Sequence, residues 1–176
     1  MQNKKYFCYE IYKNLAIWSA NGKLSYNPCS YYDGYIKTSN TFDLKDVWNS
    51  PEHDKLKLMI EQDTAIPGCS RCYKEEEQGL TSRRMGAKEL WENQLQDTDI
   101  ALDAPQSIDY SVDNLCNLKC VICGPDNSSA WIGDYQKIYP DRNIEFLKHD
   151  KFKQLEVSDY SLLKNIKNIH FHGGGE

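Results

Sequence analysis

Three cysteines fall within eight residues, Cys116-Asn117-Leu118-Lys119-Cys120-Val121-Ile122-Cys123, and no other stretch of the chain restricts its chemistry so strongly. Thiols spaced C-x3-C-x2-C wrap one side of a cation or cluster, one ligand short of a closed four-ligand site. A filled site holds structure or passes electrons, whereas an open coordination position can take a substrate. The other cysteines are Cys8, Cys29, Cys69 and Cys72, the last two a C-x2-C pair. Seven cysteines in 176 residues is an odd number, well below the density of a disulfide scaffold. The start, Met1-Gln2-Asn3-Lys4-Lys5, lacks the apolar core of a secretory signal. A cytoplasmic location is expected, where grouped cysteines are metal ligands or catalytic thiols more often than disulfides.

Composition excludes other classes. Hydrophobic residues make up 40% and charged residues 27%, a water-soluble balance. No apolar run reaches the roughly 18 residues of a membrane span. A net charge of −5 without a basic stretch argues against dedicated nucleic-acid binding, though not against a nucleotide-sized ligand.

Local signals place the cysteines on elements. Leu15 to Ala20 and Lys23 to Asn27 flank Asn21-Gly22, the pair best suited to a two-residue hairpin turn. Pro28 ends the second strand just before Cys29. Ser50-Pro51-Glu52 opens a helix with Leu56, Met59 and Ile60 at helical spacing, and Pro67-Gly68 is expected to break it. Thr81 to Gln94 reads as helical, with Met85, Leu90 and Trp91 on its buried side. Asp97 to Pro105 is polar and reads as a linker, so a boundary is expected near Pro105. Beyond it, Ile108, Tyr110 and Val112 alternate with polar residues as a strand does. A helix is expected from Asp126 or Asn127 to Tyr139, and a second strand from Asn168 to His172, running into Gly173-Gly174-Gly175-Glu176. Strand, loop, helix and strand with a long crossover form a parallel β/α pattern, with the cysteine loop at a strand's C-terminal end, where β/α barrels place their chemistry.

Bland readings stand beside these. The loop would be a structural zinc site if His170 or His172 completed it, although zinc knots usually come as paired C-x2-C units. Cys8 could be a buried thiol. Glu75-Glu76-Glu77 reads as a solvated helix face, with Glu76 alternatively supporting a ligand of the site, and Arg83 and Arg84 as surface charges or, for one of them, a partner of a carboxylate or a peptide substrate. Cys8, Cys29, Cys69 and Cys72 suit a structural zinc or a fully ligated 4Fe–4S cluster equally well.

The three-cysteine loop after a first strand, followed one β/α unit later by Gly174-Gly175-Glu176, resembles the radical S-adenosylmethionine superfamily. That resemblance implies that Cys116, Cys120 and Cys123 hold three irons of a 4Fe–4S cluster whose fourth iron is chelated by S-adenosylmethionine. It further implies that Gly174, Gly175 and Glu176 contact the methionine amino group and that Ile122 lies near the adenine, where an aromatic residue is usual. The proline that commonly follows Gly-Gly-Glu has no counterpart here. In the first half, the early cysteine, hairpin, proline-preceded cysteine and C-x2-C, then Glu76, Gly79, Ser82 and Arg84 in an E-x2-G-x2-S-x-R pattern, are similar to members with an N-terminal twitch domain. This implies an auxiliary 4Fe–4S cluster on Cys8, Cys29, Cys69 and Cys72. Four ligands and three account for all seven cysteines.

The expected fold is therefore α+β: a small twitch-like iron–sulfur domain over residues 1–104, then the first β/α units of a partial (β/α)6 barrel over residues 105–176. The resemblance implies the N-terminal portion of an enzyme that reductively cleaves S-adenosylmethionine to methionine and a 5′-deoxyadenosyl radical. The radical would abstract hydrogen from a peptide or small-molecule substrate, with electrons from a flavodoxin or ferredoxin. Alone, this length is expected to be inactive and poorly stable. The alternative is a non-catalytic iron–sulfur or zinc module for electron transfer or partner binding.

Overall fold

The computed structural model describes residues 4–20, 23–39, 44–111, 114–144 and 160–171, an α+β arrangement around one five-stranded mixed sheet. A one-and-a-half-turn helix, α1 (Tyr9–Lys13), starts with Cys8 in its N-cap position and leads straight into the sheet. The expected hairpin is present: β1 (Asn14–Ala20) runs antiparallel to β2 (Lys23–Asn27), Ile17 opposite Tyr26. Its Asn21-Gly22 turn lies outside the described residues. A short edge strand, β3 (Lys37–Ser39), joins β2 antiparallel. On the other side of β1 comes β4 (Ser107–Ser111), and beyond it β5 (Asn168–Phe171), both parallel to their neighbours. The order is β3-β2-β1-β4-β5. Strands from both sides of Pro105 thus share a single sheet.

The core lies between this sheet and the helices of the first half. Leu15 and Ile17 of β1, Tyr26 of β2 and Ile108 of β4 pack with Val47 and Trp48 of α2 (Leu44–Trp48) and with Leu56 and Ile60 of α3 (Pro51–Glu61). The cap signal of α3 is realised: the Ser50 hydroxyl accepts from the His53 N–H. The helix ends earlier than the Pro67-Gly68 signal implies. Asp63 adopts φ 52°, its N–H bonds Ile60 C=O at 2.9 Å, and Thr64 N–H bonds Met59 C=O at 2.8 Å. That paired closure satisfies the last carbonyls four residues before the proline. Pro67–Cys69 instead forms a 3-10 turn that feeds α4 (Ser70–Glu77).

The helix expected over Thr81 to Gln94 is α5 (Arg83–Lys88), which widens into a π-helical turn over Glu89–Gln94. Trp91 is buried and Leu90 packs against the core, but Met85 is exposed and Ala87 takes its inward place. Ala87 and Trp91, four residues apart, share the buried face, whereas Met85, six before Trp91, lies about 120° round the helix from it. Asp109 departs from the expected alternation as well. Its side chain is fully buried, because β4 is covered on both faces. The second-half helix begins as a 3-10 turn at Ser129–Trp131 and continues as α6 (Ile132–Ile138). No helix among the described residues is long and apolar enough to cross a membrane.

Candidate metal centres

Four short segments deliver the first cysteine group to one cleft. Cys8 comes from the start of α1, Cys29 from the end of β2, and Cys69 and Cys72 from the 3-10 turn and first turn of α4. All four line a single cavity with Glu10, Tyr31, Tyr32, Tyr73, Arg83 and Arg84. Cys8, Cys29 and Cys72 are buried and Cys69 is half-buried. Two local features draw the segments together. Gly68 lies so close to the Cys29 loop that Asp33 N–H bonds its carbonyl at 2.9 Å. Asn14 Nδ2 donates to the Pro28 carbonyl at 3.1 Å, holding the approach to Cys29.

Burial pushes the Cys8 and Cys29 thiols well above their usual range, and the nearby Glu10 carboxylate adds to it. Burial lifts Cys69 to about 12, with Cys72 adding. Such thiols are protonated at neutral pH and are poor nucleophiles; a bound cation is what ionises a thiol in this setting.

Charge is distributed around the cleft with purpose. The Arg83 side chain binds Asp109 through one nitrogen, 3.0 and 2.8 Å from the two carboxylate oxygens, and its Nε lies 3.3 Å from Glu10 Oε1. Asn14 Nδ2 also reaches Asp109, at 3.3 Å. Burial raises the Glu10 carboxyl to about 7; Arg83 pulls against this and the Asp109 charge reinforces it. Glu10 Oε2 meets no hydrogen-bond donor among the described residues.

The E-x2-G-x2-S-x-R residues form one clasp beside the cleft. Glu76 accepts from Ser82 Oγ at 2.5 Å and from Arg84 Nε at 2.9 Å, and it pairs with a second Arg84 nitrogen. Gly79 makes the turn with φ 74°, and Ser82 caps α5 through the Met85 N–H. Arg84 also donates to the carbonyls of Lys5 and Phe7, at 2.5 and 3.5 Å, on either side of Tyr6. Burial works against the Glu76 charge, yet the Arg84 and Ser82 bonds hold its carboxyl below the usual range. Glu76 is therefore a tether for the segment carrying Cys8 and not part of a merely solvated acidic face.

The second group sits at the C-terminal edge of β4. Ser129 Oγ and Ser128 Oγ both donate to the Cys116 carbonyl, at 3.1 and 3.3 Å, and Ser128 Oγ also reaches Leu118 C=O at 2.5 Å. Asn114 Nδ2 closes the loop on the Pro125 carbonyl at 2.6 Å. These bonds explain why the following helix starts at Ser129, later than expected: its first residues are engaged with the loop. Cys116 Sγ accepts from the Leu118 N–H at 3.4 Å. Cys120 is exposed and Cys116 and Cys123 are half-buried, while Val121 and Ile122 are 97% and 96% exposed. The β4–β5 register sets Asp109 opposite His170 and Tyr110 opposite Phe171, so β5 ends at the same edge as the loop. His170 lies 2.7 Å from the Asn168 amide. His172, Gly174, Gly175 and Glu176 lie outside the described residues.

No group of three or more His, Cys, Asp or Glu side chains among the described residues is gathered closely enough to hold one ion. A mononuclear tetrahedral site needs its sulfurs about 2.3 Å from one point. A four-iron cluster places each thiolate on a different iron and carries net negative charge. Four soft thiols in one cleft fit that donor set, and the two guanidinium groups in its wall are already paired, Arg83 with Glu10 and Asp109 and Arg84 with Glu76. Spacing pointed to the cysteines, whereas Glu10, Asp109 and the tyrosines of the cleft carried no distinguishing signal. Glu10 sits only two residues from Cys8, and Asp109 looked like the outward half of an alternating strand. No protein-family model, curated protein or solved structure matches this chain.

Proposed function

We propose that this chain is the N-terminal part of a twitch-type radical S-adenosylmethionine enzyme, its second half beginning a (β/α)6 barrel. One observation carries the reading: four cysteines distant in sequence share one cleft, and the other three share one loop at the end of a parallel strand. A plain electron carrier has no use for a three-thiol loop with an open position. In this reading Cys116, Cys120 and Cys123 hold the open 4Fe–4S cluster, and Cys8, Cys29, Cys69 and Cys72 hold a closed auxiliary one. Gly174, Gly175, Glu176 and Ile122 would contact S-adenosylmethionine.

The cofactors, when bound, supply one-electron reductive cleavage of a sulfonium, giving methionine and a 5′-deoxyadenosyl radical that takes hydrogen from a peptide or small molecule. This chain's residues prepare the sites. Ser128, Ser129 and Asn114 hold the loop backbone so that three thiols are presented from fixed positions. The Leu118 N–H stabilises negative charge on Cys116 Sγ, one of the means by which a protein adjusts a cluster's potential. Arg83 and Arg84, paired with Glu10, Asp109 and Glu76, fix the wall of the auxiliary site. A flavodoxin or ferredoxin is the electron donor, in the cytoplasm.

The test is iron and sulfide content after anaerobic reconstitution, for the wild type and the C116A/C120A/C123A variant. About eight irons with matching sulfide, falling to about four in the variant, is the expected result. Zinc without sulfide in both samples overturns the reading and leaves a structural metal protein.

A further inference from the structure

A second cavity, of about 200 Å³, shares Cys8 and Arg84 with the first and is lined by residues 4–9 and the α4–α5 corner. It is lined by Lys4, Lys5, Arg84 and Lys88 against a single carboxylate, Glu76, with Phe7, Tyr9 and Met85 as apolar walls. The cations are not equivalent. Arg84 is committed: its guanidinium is taken up by Glu76 and by the Lys5 and Phe7 carbonyls. Lys88 lies 3.9 Å from Glu92, a long pair on an exposed helix face. The ammonium of Lys4 bonds only a main-chain oxygen, that of Glu61, and Lys5 lies 5.1 Å over the Tyr6 ring. Neither meets a carboxylate among the described residues. The lining thus sums to four cations and one anion, in a protein whose overall charge is −5.

We infer that this cavity is a binding site for a phosphoryl group, free or carried as a phosphate monoester. Three arguments select that chemistry. The cations that meet no carboxylate among the described residues, Lys4 and Lys5, are ammonium groups, compact point charges that suit a multiply charged tetrahedral anion, whereas the one guanidinium fork that would favour a carboxylate is already occupied. A phosphate brings close to two negative charges at neutral pH, a better match to the surplus than a carboxylate's one. The space exceeds several water volumes of about 30 Å³ but is smaller than a drug-sized pocket, so it holds a headgroup and not a whole cofactor. Because Cys8 and Arg84 border both cavities, an anion held here sits against the wall of the four-cysteine cleft. The inference does not depend on which metal, if any, that cleft binds.

Calorimetric titration of the full chain with inorganic phosphate, and separately with O-phosphoserine, tests it at fixed ionic strength, with acetate and chloride as comparison anions. Binding of either phosphate is expected to be at least tenfold tighter than acetate, and to weaken at least tenfold in K4A/K5A. Lys137→Ala, on the remote helix α6, is expected to change nothing. Lys5→Gln, which leaves the Lys4 contact intact, serves if the double variant unfolds, and a clear loss is expected there too. Phosphate binding no tighter than acetate, or equal binding by wild type and K5Q, overturns the site. Preference for O-phosphoserine over inorganic phosphate assigns the group to a larger molecule, and the reverse assigns the free ion; both support the site.

Discussion

A β-carbon on Gly68 would stand 2.5 Å from Tyr32 Cε2 and 2.8 Å from the Asp33 carbonyl. Gly68 precedes Cys69, and Asp33 follows Cys29 by four residues, so this one missing methyl lets the two cysteine-bearing loops touch. Gly68→Ala is expected to cost about 1–3 kcal/mol, the usual penalty for overpacking against a backbone that cannot move aside. Chemical denaturation measures that cost. On the proposed reading, the iron taken up by the four-cysteine cleft should fall in the same variant while the Cys116 loop is unaffected, and unchanged stability and iron content would show that the loops do not need this contact. At the same scale, the E-x2-G-x2-S-x-R pattern was legible as a string of residues, but its physical meaning was not. Only the folded chain shows that Glu76, Ser82 and Arg84 are bonded to one another and, through Arg84, to the carbonyls flanking Tyr6.

Among the elements, the junction of α1, the π-helical turn and the two parallel strands is held by one buried cation. Lys13 is fully buried, donates to Asp97 at 3.1 Å and to Gln106 at 2.7 Å, and lies 4.5 Å over the Trp91 ring. Asp97 also pairs with Lys167, just before β5. Burial of Asp97 favours its neutral form, but the bonds from Lys167 and Lys13 prevail and hold its carboxyl at about 2. A carboxyl depressed in the folded state contributes stability above its unfolded value of about 4, and loses it as pH falls through about 2. Asp97→Asn should therefore lower stability by up to about 2 kcal/mol at pH 7, with the gap to wild type roughly halved near pH 3. Urea unfolding at both pH values checks this, and a gap independent of pH would assign the loss to packing instead of charge. The linker reading of residues 97–105 captured their polarity but not this anchoring role. A carboxylate that pairs with residues 84 positions before it and 70 after it looks in sequence like any exposed loop acid.

For the whole molecule, the open side of the sheet is the conspicuous surface. β5 has β4 as its single partner among the described residues, and Ile169 and Phe171 are 50% and 75% exposed. Val121 and Ile122, in the loop that follows β4, also stand in solvent. An edge strand with exposed apolar side chains is a template for unwanted pairing. The isolated chain is expected to self-associate with rising concentration, and I169T/F171S to reduce that association without lowering the unfolding midpoint appreciably. Sedimentation velocity across a concentration series reads it; a monomer at every concentration would sink the expectation.

Local signals were enough for the hairpin, the start of α3, the strand at Ile108 and the grouping of cysteines, because turns, caps and C-x2-C spacings act over a few residues and leave their mark in the chain itself. Where α3 ends and where α6 begins escaped that reading. Each is decided by bonds that compete with the local signal: a closure at Asp63, and serines engaged with the cysteine loop. Tertiary structure alone decided that strands from both halves share a sheet, that Asp109 is buried against Arg83, and that Cys8 and Cys29 meet Cys69 and Cys72. Those outcomes rest on contacts between segments tens of residues apart, where the gain from burying a charge pair or a thiol depends on what the rest of the chain has already brought alongside it.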